Sequence, residues 1–373
     1  MNPRRRKIIN DPVYGFITIA GDLIFQIIEH PYFQRLRRIK QVGMSHLVYP
    51  GAIHTRFNHA LGAMHLMSLA IDLLRAKGIS ITDEEAEGAM IAILLHDIGH
   101  GPFSHSLEFS IVHGVNHEVI SGLLMEHLNE HFGGRLDTGI AIFNNEYPKQ
   151  FLHQLVSSQL DMDRLDYLSR DSFYTGVSEG VVSNQRIIKM LYVVDDKLVI
   201  EEKGIYSIEK FIVARRLMYW QVYLHKTVVS AEKLLISILR RAKELAHGGA
   251  ELFASPALAT FLYRDVTRDQ FCDRNGAILD TFCALDDYDV MSAIKVWANH
   301  PDPILSDLCT RMVDRKLLRV VLSKDPFSPQ IIDDARAKAL ELLGGDDRHL
   351  KYYFQVDELV TTPMTMSPNA SRF

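Results

Sequence analysis

The chain has 373 residues, of which 47% are hydrophobic and 23% are charged, so it is long enough to bury the core of an ordinary globular protein. Its three cysteines are too widely spaced to suggest a disulfide framework, which indicates a reducing compartment. The first residues lack the apolar stretch of a signal peptide, and no apolar run approaches the ~20 residues of a membrane span. We therefore expect a cytoplasmic protein and exclude a disulfide-rich secreted domain or a transmembrane protein.

The charge is distributed unevenly. Residues 1–40 hold eight Lys/Arg and three Asp/Glu, a net charge of +5, whereas the whole chain carries −5 and the remainder therefore −10. A solvated basic arm is the usual meaning of such a bias. The two basic clusters, 4–7 and 35–40, would also suit a polyphosphate or a single-stranded nucleic acid.

Two capped helices are predicted in the first part of the chain. Thr55 can cap a helix that stops near Gly78. Residues 82–85 form a capping box for a second helix, which ends at His96. That helix contains the apolar run 89–95, so the charged, histidine-rich string after it is costly to bury unless something pairs with it.

The later segments are also predicted to be mainly helical. Helices are expected over 161–170 and 208–245, with a small β-hairpin between them at 192–201. The string 301–303, Pro-Asp-Pro, predicts a break. Residues 352–356 are predicted to form a strand near the C-terminus.

Four residues make a sufficient ligand set for one divalent metal ion: His59, His96, Asp97 and Asp163. Neutral imidazole and carboxylate together suit several ions, and the predicted cofactor is iron, manganese, magnesium, zinc, nickel or cobalt. Because the cluster contains no cysteine, it does not resemble a structural zinc site.

A His-Asp pair by itself more often means a surface pair or a satisfied core histidine. The context favours a metal, because His100 and His105 follow His96 within nine residues. Gly99 and Gly101 would also allow the backbone to turn tightly around the cluster.

Helical spacing predicts which side chains share a face. Arg56 lies three residues before His59, and Asp163, Tyr167 and Asp171 are spaced four apart. An arginine beside a metal ligand is well placed to hold a phosphate, although by itself it would more often form a surface salt bridge.

A polar stripe with helical spacing is formed by Arg215, Tyr219, Tyr223 and Lys226. Aromatic stripes are more often core packing, but flanking Arg and Lys at the same phase favour a polar cleft. Asp166 and Arg170 lie off the helix face that carries Asp163, and they can pair with each other.

The H…HD…D pattern of the four ligands resembles the HD-domain phosphohydrolases, and the surrounding strings resemble their deoxynucleoside triphosphate triphosphohydrolase branch, which includes the bacterial dGTPases. The matching strings run in order along the chain and are residues 10–12, 33–37, 39–41, 54–59, 96–105, 161–171 and 223–226. Beyond about residue 250, little resembles the family.

The resemblance implies an all-α, mainly helical HD-domain fold, to which we add the small β-hairpin and a minor α/β C-terminal appendage. Residues 1–47 would form an N-terminal basic segment and helix, 48–300 the phosphohydrolase core with its helical extension, and 301–373 the appendage. The resemblance also implies a homo-oligomer, dimer or tetramer, that hydrolyses deoxynucleoside triphosphates to deoxynucleoside and inorganic triphosphate.

Site residues follow from the same resemblance. Gln41 and Asp171 would recognise the sugar 3′-hydroxyl, and Tyr223 would lie against the sugar and base. The implied phosphate contacts are Arg56, Arg164, Tyr167 and Arg215. Tyr219 stands where family members carry histidine, so its contact with the substrate is left open.

The expected chemistry is attack on phosphorus by a water that the metal ion activates. The departing 5′-oxygen needs a proton, and His105 and His117 are the candidate acids because imidazole titrates near neutral pH. Glu118 would orient His117, and His100 belongs to the same catalytic group. That the α-phosphorus is attacked is implied by the resemblance alone.

An activating guanine nucleotide is also implied, because positions of this kind bind one between subunits in the family. The positions are Lys7, Asn10, Asp11, Gln34 and Arg37. Lys7 and Arg37 would hold the triphosphate, and Asp11 would pair with a guanine edge. An equally weighted alternative is that residues 10–12 merely start a turn and that the arginines lie in water. The family's Asp-Thr-Pro string here reads Glu29-His30-Pro31, which weakens the match.

Two other functions remain open at this point. One is an HD-type phosphodiesterase or nucleotidase that acts on another phosphoester. The other is a nucleotide-sensing or nucleic-acid-binding protein, although a purely binding module has no need of four metal ligands.

Overall fold

The computed structural model describes residues 7–19, 21–103, 115–273 and 276–358. The chain forms two compact units, Met1–Val321 and Leu322–Phe373. The helices of the first unit are α1 Asp22–Glu29, α2 Pro31–Gln34, α3 Arg56–Ala76, α4 Asp83–Leu95, α5 His117–His131, α6 Asp137–Phe143, α7 Gln150–Val156, α8 Met162–Thr175, α9 Asn184–Lys189, α10 Ile205–Met218, α11 Lys226–His247, α12 Pro256–Tyr263, α13 Arg268–Phe271, α14 Ala277–Cys283, α15 Asp287–Trp297 and α16 Pro303–Val313. The described part of the second unit contains α17 Pro329–Leu342 and α18 Asp347–Tyr353.

The described residues also form two antiparallel hairpins, and this small share of strand confirms the mainly helical class. The predicted hairpin is formed by β3 (Leu191–Val194) and β4 (Lys197–Ile200). A second hairpin, β1 (Lys7–Asp11) and β2 (Gly15–Ile19), occupies the segment that was predicted to be a basic arm. Its β-branched run, Ile17-Thr18-Ile19, was the available signal.

Helix α3 lies at the centre of the first unit and packs against α4 and α8. Both predicted N-termini are confirmed. The Thr55 N–H donates to Asn58 Oδ1 (3.1 Å) at the start of α3. At α4, the Glu85 N–H donates to Thr82 Oγ1 (3.1 Å) and the Thr82 N–H donates to Glu85 Oε2 (2.8 Å), which is the predicted capping box.

The single helix predicted over 208–245 is wrong. Helix α10 ends at Met218 and is followed directly by a π-helical segment, Tyr219–Tyr223. Helix α11 then begins at Lys226. The His225 side chain caps α11 by accepting from the Thr227 N–H (3.2 Å). Because residues 224–225 interrupt the helix, Lys226, which is exposed, is not in continuous helical phase with Tyr223.

The break at 301–303 is confirmed, because Asp302 caps α16 by accepting from the Leu305 N–H (2.8 Å). The strand predicted over 352–356 is wrong. Tyr353 ends helix α18, whose N-terminus is capped by Asp346 through the Arg348 N–H (3.0 Å). Among the described residues of the second unit there is no strand, so the α/β character expected there is not found.

In the part of the chain that the structure describes, no helix combines the length and the apolar character that crossing a bilayer requires.

Candidate active site

Three helices bring together a group of side chains that could hold a metal ion. His59 lies in the first turns of α3, His96 follows the last residue of α4, and Asp163 lies in the first turn of α8. One ligand atom from each lies within 4.8 Å of the other two. Asp163 Oδ1 is 3.1 Å from His59 Nε2 and 3.4 Å from His96 Nε2.

Both histidines are oriented by a bond at the opposite ring nitrogen. His59 Nδ1 donates to Asp166 Oδ2 (2.7 Å), and His96 Nδ1 donates to the Ile93 carbonyl (2.6 Å). The Nε2 atoms of both rings are buried and have no hydrogen-bond partner among the described residues. Two unpartnered imidazole nitrogens facing a carboxylate fit a divalent metal ion, which would complete them.

Asp97, the fourth predicted ligand, lies beside this group. Its Oδ1 is 3.4 Å from His96 Nε2, and its Oδ2 is 3.8 Å from His59 Nε2. The same Oδ2 is ion-paired with Arg56, whose position next to the ligands agrees with the helical spacing. Burial alone would raise the pKa of Asp97, but the neighbouring His96, His100 and Arg56 hold it well below its usual value.

The segment that carries His96 and Asp97, which we call the HD loop (residues 96–103), is tied to α5. Ser121 Oγ donates to the His96 carbonyl (2.8 Å) and accepts from the Gly99 N–H (2.9 Å). A Cβ at position 99 would lie 2.2 Å from the His117 carbonyl oxygen, so glycine is required there by close packing. Sequence reasoning missed Ser121.

Arg35 supports the HD loop from the other side. It is completely buried, and its Nη2 donates to the carbonyls of Ile98 (2.7 Å) and His100 (2.8 Å). Arg38 forms an ion pair with Asp286, and Lys40 donates to Asp287 through its backbone N–H (3.0 Å). The cluster 35–40 is therefore not the uniform basic surface that its sequence suggested.

The predicted proton donors are partly placed. The His100 and His117 rings are stacked, with centroids 3.9 Å apart and planes inclined by 16°. Burial and the Arg56 charge lower the pKa of His100 to about 3, so this ring is neutral at neutral pH. Glu118 is exposed in the first turn of α5, and His105 lies outside the described residues.

The residues expected to hold the sugar lie together. Asp171 is buried and accepts from His54 Nε2 (2.7 Å) and from Tyr223 Oη (2.6 Å). The Gln41 N–H donates to the His54 carbonyl (3.0 Å), while Gln41 Oε1 is buried without a partner among the described residues. His54, which was not among the predicted site residues, therefore links Gln41 to Asp171.

A cluster of tyrosines borders Asp171. The Tyr223 ring makes edge contacts with Tyr219 (5.3 Å) and Tyr167 (6.2 Å). Burial and the Asp171 charge raise the pKa of Tyr223 well above its usual value, so its hydroxyl remains a donor. Tyr219 and Tyr223 delimit the π-helical segment, and such segments often occur at functional sites.

Two residues predicted to contact phosphate, Arg164 and Arg215, bind other side chains of the protein. Arg215 Nη1 donates to Gln159 Oε1 (3.2 Å). Arg164 Nη1 forms an ion pair with Asp161 (2.8 Å) and lies 3.9 Å from Asp163 Oδ2, next to the metal-ligand set.

Residues 56–171 match the HD domain, and residues 182–253 match the HD associated region. The chain is 33% identical over 363 residues to the uncharacterised protein YwfO of Bacillus subtilis, covering 96% of this chain and 80% of that protein. A crystal structure of a phosphohydrolase from Bacteroides thetaiotaomicron VPI-5482 is similar, with 59% identity and a TM-score of 0.90 over 93% of this chain and 86% of that one. The chain belongs to the HD-domain phosphohydrolases.

A further relative carries a more specific name. The chain is 33% identical over 257 residues to a protein of Dictyostelium discoideum called deoxynucleoside triphosphate triphosphohydrolase SAMHD1 homolog. The match covers 64% of this phosphohydrolase and 50% of that relative. The prediction of an HD-type phosphohydrolase is confirmed, and the described metal-ligand set lies inside the HD match.

The positions predicted to bind an activator lie on and near the first hairpin of the phosphohydrolase. The Lys7 ammonium lies 3.4 Å from the Phe25 ring centroid, and Asn10 is exposed. Gln34 Oε1 accepts from Arg37 Nε (2.9 Å), and Arg37 is exposed.

The fifth predicted position, Asp11, differs from the other four. It is only 6% exposed, and its carboxylate is ion-paired with the buried Arg170.

Proposed function

We propose that this phosphohydrolase hydrolyses deoxynucleoside triphosphates to deoxynucleoside and inorganic triphosphate with a divalent metal ion. The ion would be held by His59, His96, Asp97 and Asp163. The observation that carries this proposal is the pair of buried, unpartnered Nε2 atoms that face Asp163. The name of the Dictyostelium relative supports the substrate class.

A bound divalent ion would supply Lewis-acid polarisation of a phosphoryl oxygen and a more acidic water. The chain's own residues supply the rest. Arg56, held against Asp97, presents its guanidinium beside the ligands, where it would neutralise charge on the reacting phosphate. Arg164, near Asp163, would bind a further phosphate oxygen.

The leaving 5′-oxygen needs a proton, and we assign this transfer to His117, with His105 as the second candidate. Because burial and Arg56 keep His100 neutral, its role would be to hold the His117 ring through the stacked contact. Glu118 would orient the donor from the same turn of α5.

We assign recognition of the sugar to Gln41 and Asp171. Gln41 Oε1 is buried without a partner in the described chain, so a ligand hydroxyl would satisfy it. Each Asp171 oxygen can accept a further bond, and Tyr223 and His54 fix that carboxylate. Tyr167 would lie below the sugar and crowd a 2′-hydroxyl.

The experiment is a screen of deoxy- and ribonucleoside triphosphates against manganese, magnesium, iron, zinc, nickel and cobalt, with products separated by chromatography. Free triphosphate and deoxynucleoside are expected. Release of pyrophosphate or inorganic phosphate instead would show that another bond of the triphosphate chain is cleaved. Hydrolysis of other phosphoesters only would identify a phosphodiesterase or nucleotidase.

We also propose that the protein works in the cytoplasm as a dimer or tetramer, activated by a nucleotide at Lys7, Asn10, Gln34 and Arg37. Asp11, the fifth predicted position, is left out of this set because its carboxylate is already ion-paired with Arg170. Such a ligand should increase the oligomer size and give sigmoidal kinetics. Arg37→Ala should abolish the activation and preserve the basal rate. Hyperbolic kinetics with an unchanged oligomer size would refute this switch.

A further inference from the structure

The turn of the first hairpin reaches the protein interior through Asp11. Its Oδ1 accepts from the backbone N–H groups of Val13 (2.9 Å) and Tyr14 (3.0 Å), which fixes the turn. Its Oδ2 accepts from Arg170 Nη1 (2.7 Å). Arg170 is completely buried in α8, so Asp11 connects the hairpin with the helix that also carries Asp163.

Arg170 is connected through Asp166 to His59, a proposed metal ligand. Its Nε and Nη2 each donate to one oxygen of Asp166, both at 2.9 Å, in a bidentate pair. The Asp166 oxygen that accepts from Arg170 Nε also accepts from His59 Nδ1 (2.7 Å). A displacement of Arg170 would therefore move the same oxygen that orients the His59 ring.

The orientation of that ring determines whether His59 can bind a metal. With the proton held on Nδ1, the lone pair of Nε2 points toward Asp163 and His96. Carboxylates that accept from a metal-binding histidine fix its tautomer and increase its basicity. Asp166 is completely buried, so its bond to His59 is shielded from solvent.

An independent observation shows that α3 leaves space for this chain of contacts. Gly62 lies three residues after His59, and a Cβ there would be 2.0 Å from Asp166 Oδ1 and 2.1 Å from Arg170 Nη2. The helix that carries the ligand thus lacks a side chain where the ion pair packs against it.

We propose that Asp11 is a positioning residue for His59, acting through Arg170 and Asp166, so that the hairpin β1–β2 is required for full metal affinity. The inference rests on the proposed metal site. It gives the N-terminal hairpin a role in metal binding besides any contact with an activator.

The test uses the full chain, stripped of metal with a chelator and titrated with Mn²⁺ in a calorimeter. Asp11→Asn keeps the size of the side chain and removes its charge. It should weaken Mn²⁺ binding about tenfold, at the lower end of the ~10–100-fold range for outer partners of metal-binding histidines. Asp22→Asn, which removes an exposed carboxylate at the start of α1, is the matched control and should bind as the wild type does.

Two further measurements separate positioning from a general loss of stability. A purely structural role would lower the melting temperature of Asp11→Asn equally with and without Mn²⁺, whereas positioning predicts a smaller Mn²⁺-induced rise. In an Asp166→Asn background, Asp11→Asn should weaken binding little further, because the connection is already broken. Independent, multiplying losses in the double variant would overturn the proposal.

The outcomes also distinguish this inference from the proposed function. A wild-type chain that binds no Mn²⁺ or other divalent ion would remove the metal site itself. A wild-type chain that binds Mn²⁺ with an affinity unchanged by Asp11→Asn would remove only the role of the hairpin.

Discussion

Replacing Gly62 by alanine places a methyl group into the buried ion pair behind His59. The new carbon would lie 2.0 Å from Asp166 Oδ1, whereas ordinary contacts begin at 3.4 Å, so the carboxylate must retreat by about 1.4 Å. Breaking a buried ion pair costs about 3–5 kcal/mol, and alanine in a helix recovers about 1 kcal/mol relative to glycine. We therefore expect a net loss of about 2–4 kcal/mol.

The matched control is Gly122→Ala in α5, where a Cβ would meet no atom within 4 Å. It should be neutral or slightly stabilising, because alanine is the better helix former. Urea unfolding followed by circular dichroism compares the two variants, and Mn²⁺ titration should show weaker binding for Gly62→Ala alone. If Gly62→Ala unfolds at the wild-type midpoint and keeps its Mn²⁺ affinity, the tight packing of Asp166 against α3 is not what orients His59.

Four other predictions follow from the structure. Asp163→Ala should abolish hydrolysis while circular dichroism still shows the helical content of the wild type; residual full activity would remove Asp163 from the ligand set. If Asp171 holds the 3′-hydroxyl, dideoxynucleotides should react at least about 100-fold more slowly, and equal turnover would refute that role. Asp287→Ala leaves the buried Phe103 N–H without its acceptor and should cost about 1–3 kcal/mol in urea unfolding, with reduced activity. Burial alone would raise the pKa of Glu85, but the pairing with Lys149 outweighs burial and lowers it. The carboxylate therefore stabilises the fold above its unfolded pKa of 4.5, and this effect is lost as the pH falls through the depressed value. Glu85→Gln should flatten the acid side of a plot of melting temperature against pH.

The grouping of His59, His96 and Asp163 could be predicted because the ligand chemistry of a side chain depends on its residue type. The helices predicted from the sequence end or begin beside these residues, and the structure brings the three side chains together. The capping box at residues 82–85 could be predicted because Thr82 and Glu85 satisfy backbone groups within one turn.

Contacts between distant segments could not be predicted in this way. Arg35 stands among other basic residues and was interpreted as part of a basic surface, yet it is completely buried against the HD loop. The π-helical segment Tyr219–Tyr223 has no glycine or proline to indicate it, so the helix through it was predicted to be continuous. The strands of the first hairpin contain β-branched residues, but the basic residues before them led to the prediction of a solvated arm.

The HD loop is held by its backbone, and the partners come from three separate parts of the chain. Arg35 binds the Ile98 and His100 carbonyls, Ser121 binds the His96 carbonyl and the Gly99 N–H, and Asp287 accepts from the Phe103 N–H (3.2 Å).

Anchoring through the backbone limits the movement of the loop without using the side chains of His96 and Asp97, which is the preorganisation that the proposed metal site needs. Asp287 also binds Lys40, the neighbour of the proposed sugar contact Gln41. A residue from the part of the chain with little resemblance to the family therefore joins the HD loop to the substrate side of the site. For this reason α15 should be considered part of the active-site scaffold, and truncation before it should impair catalysis even though every proposed ligand remains.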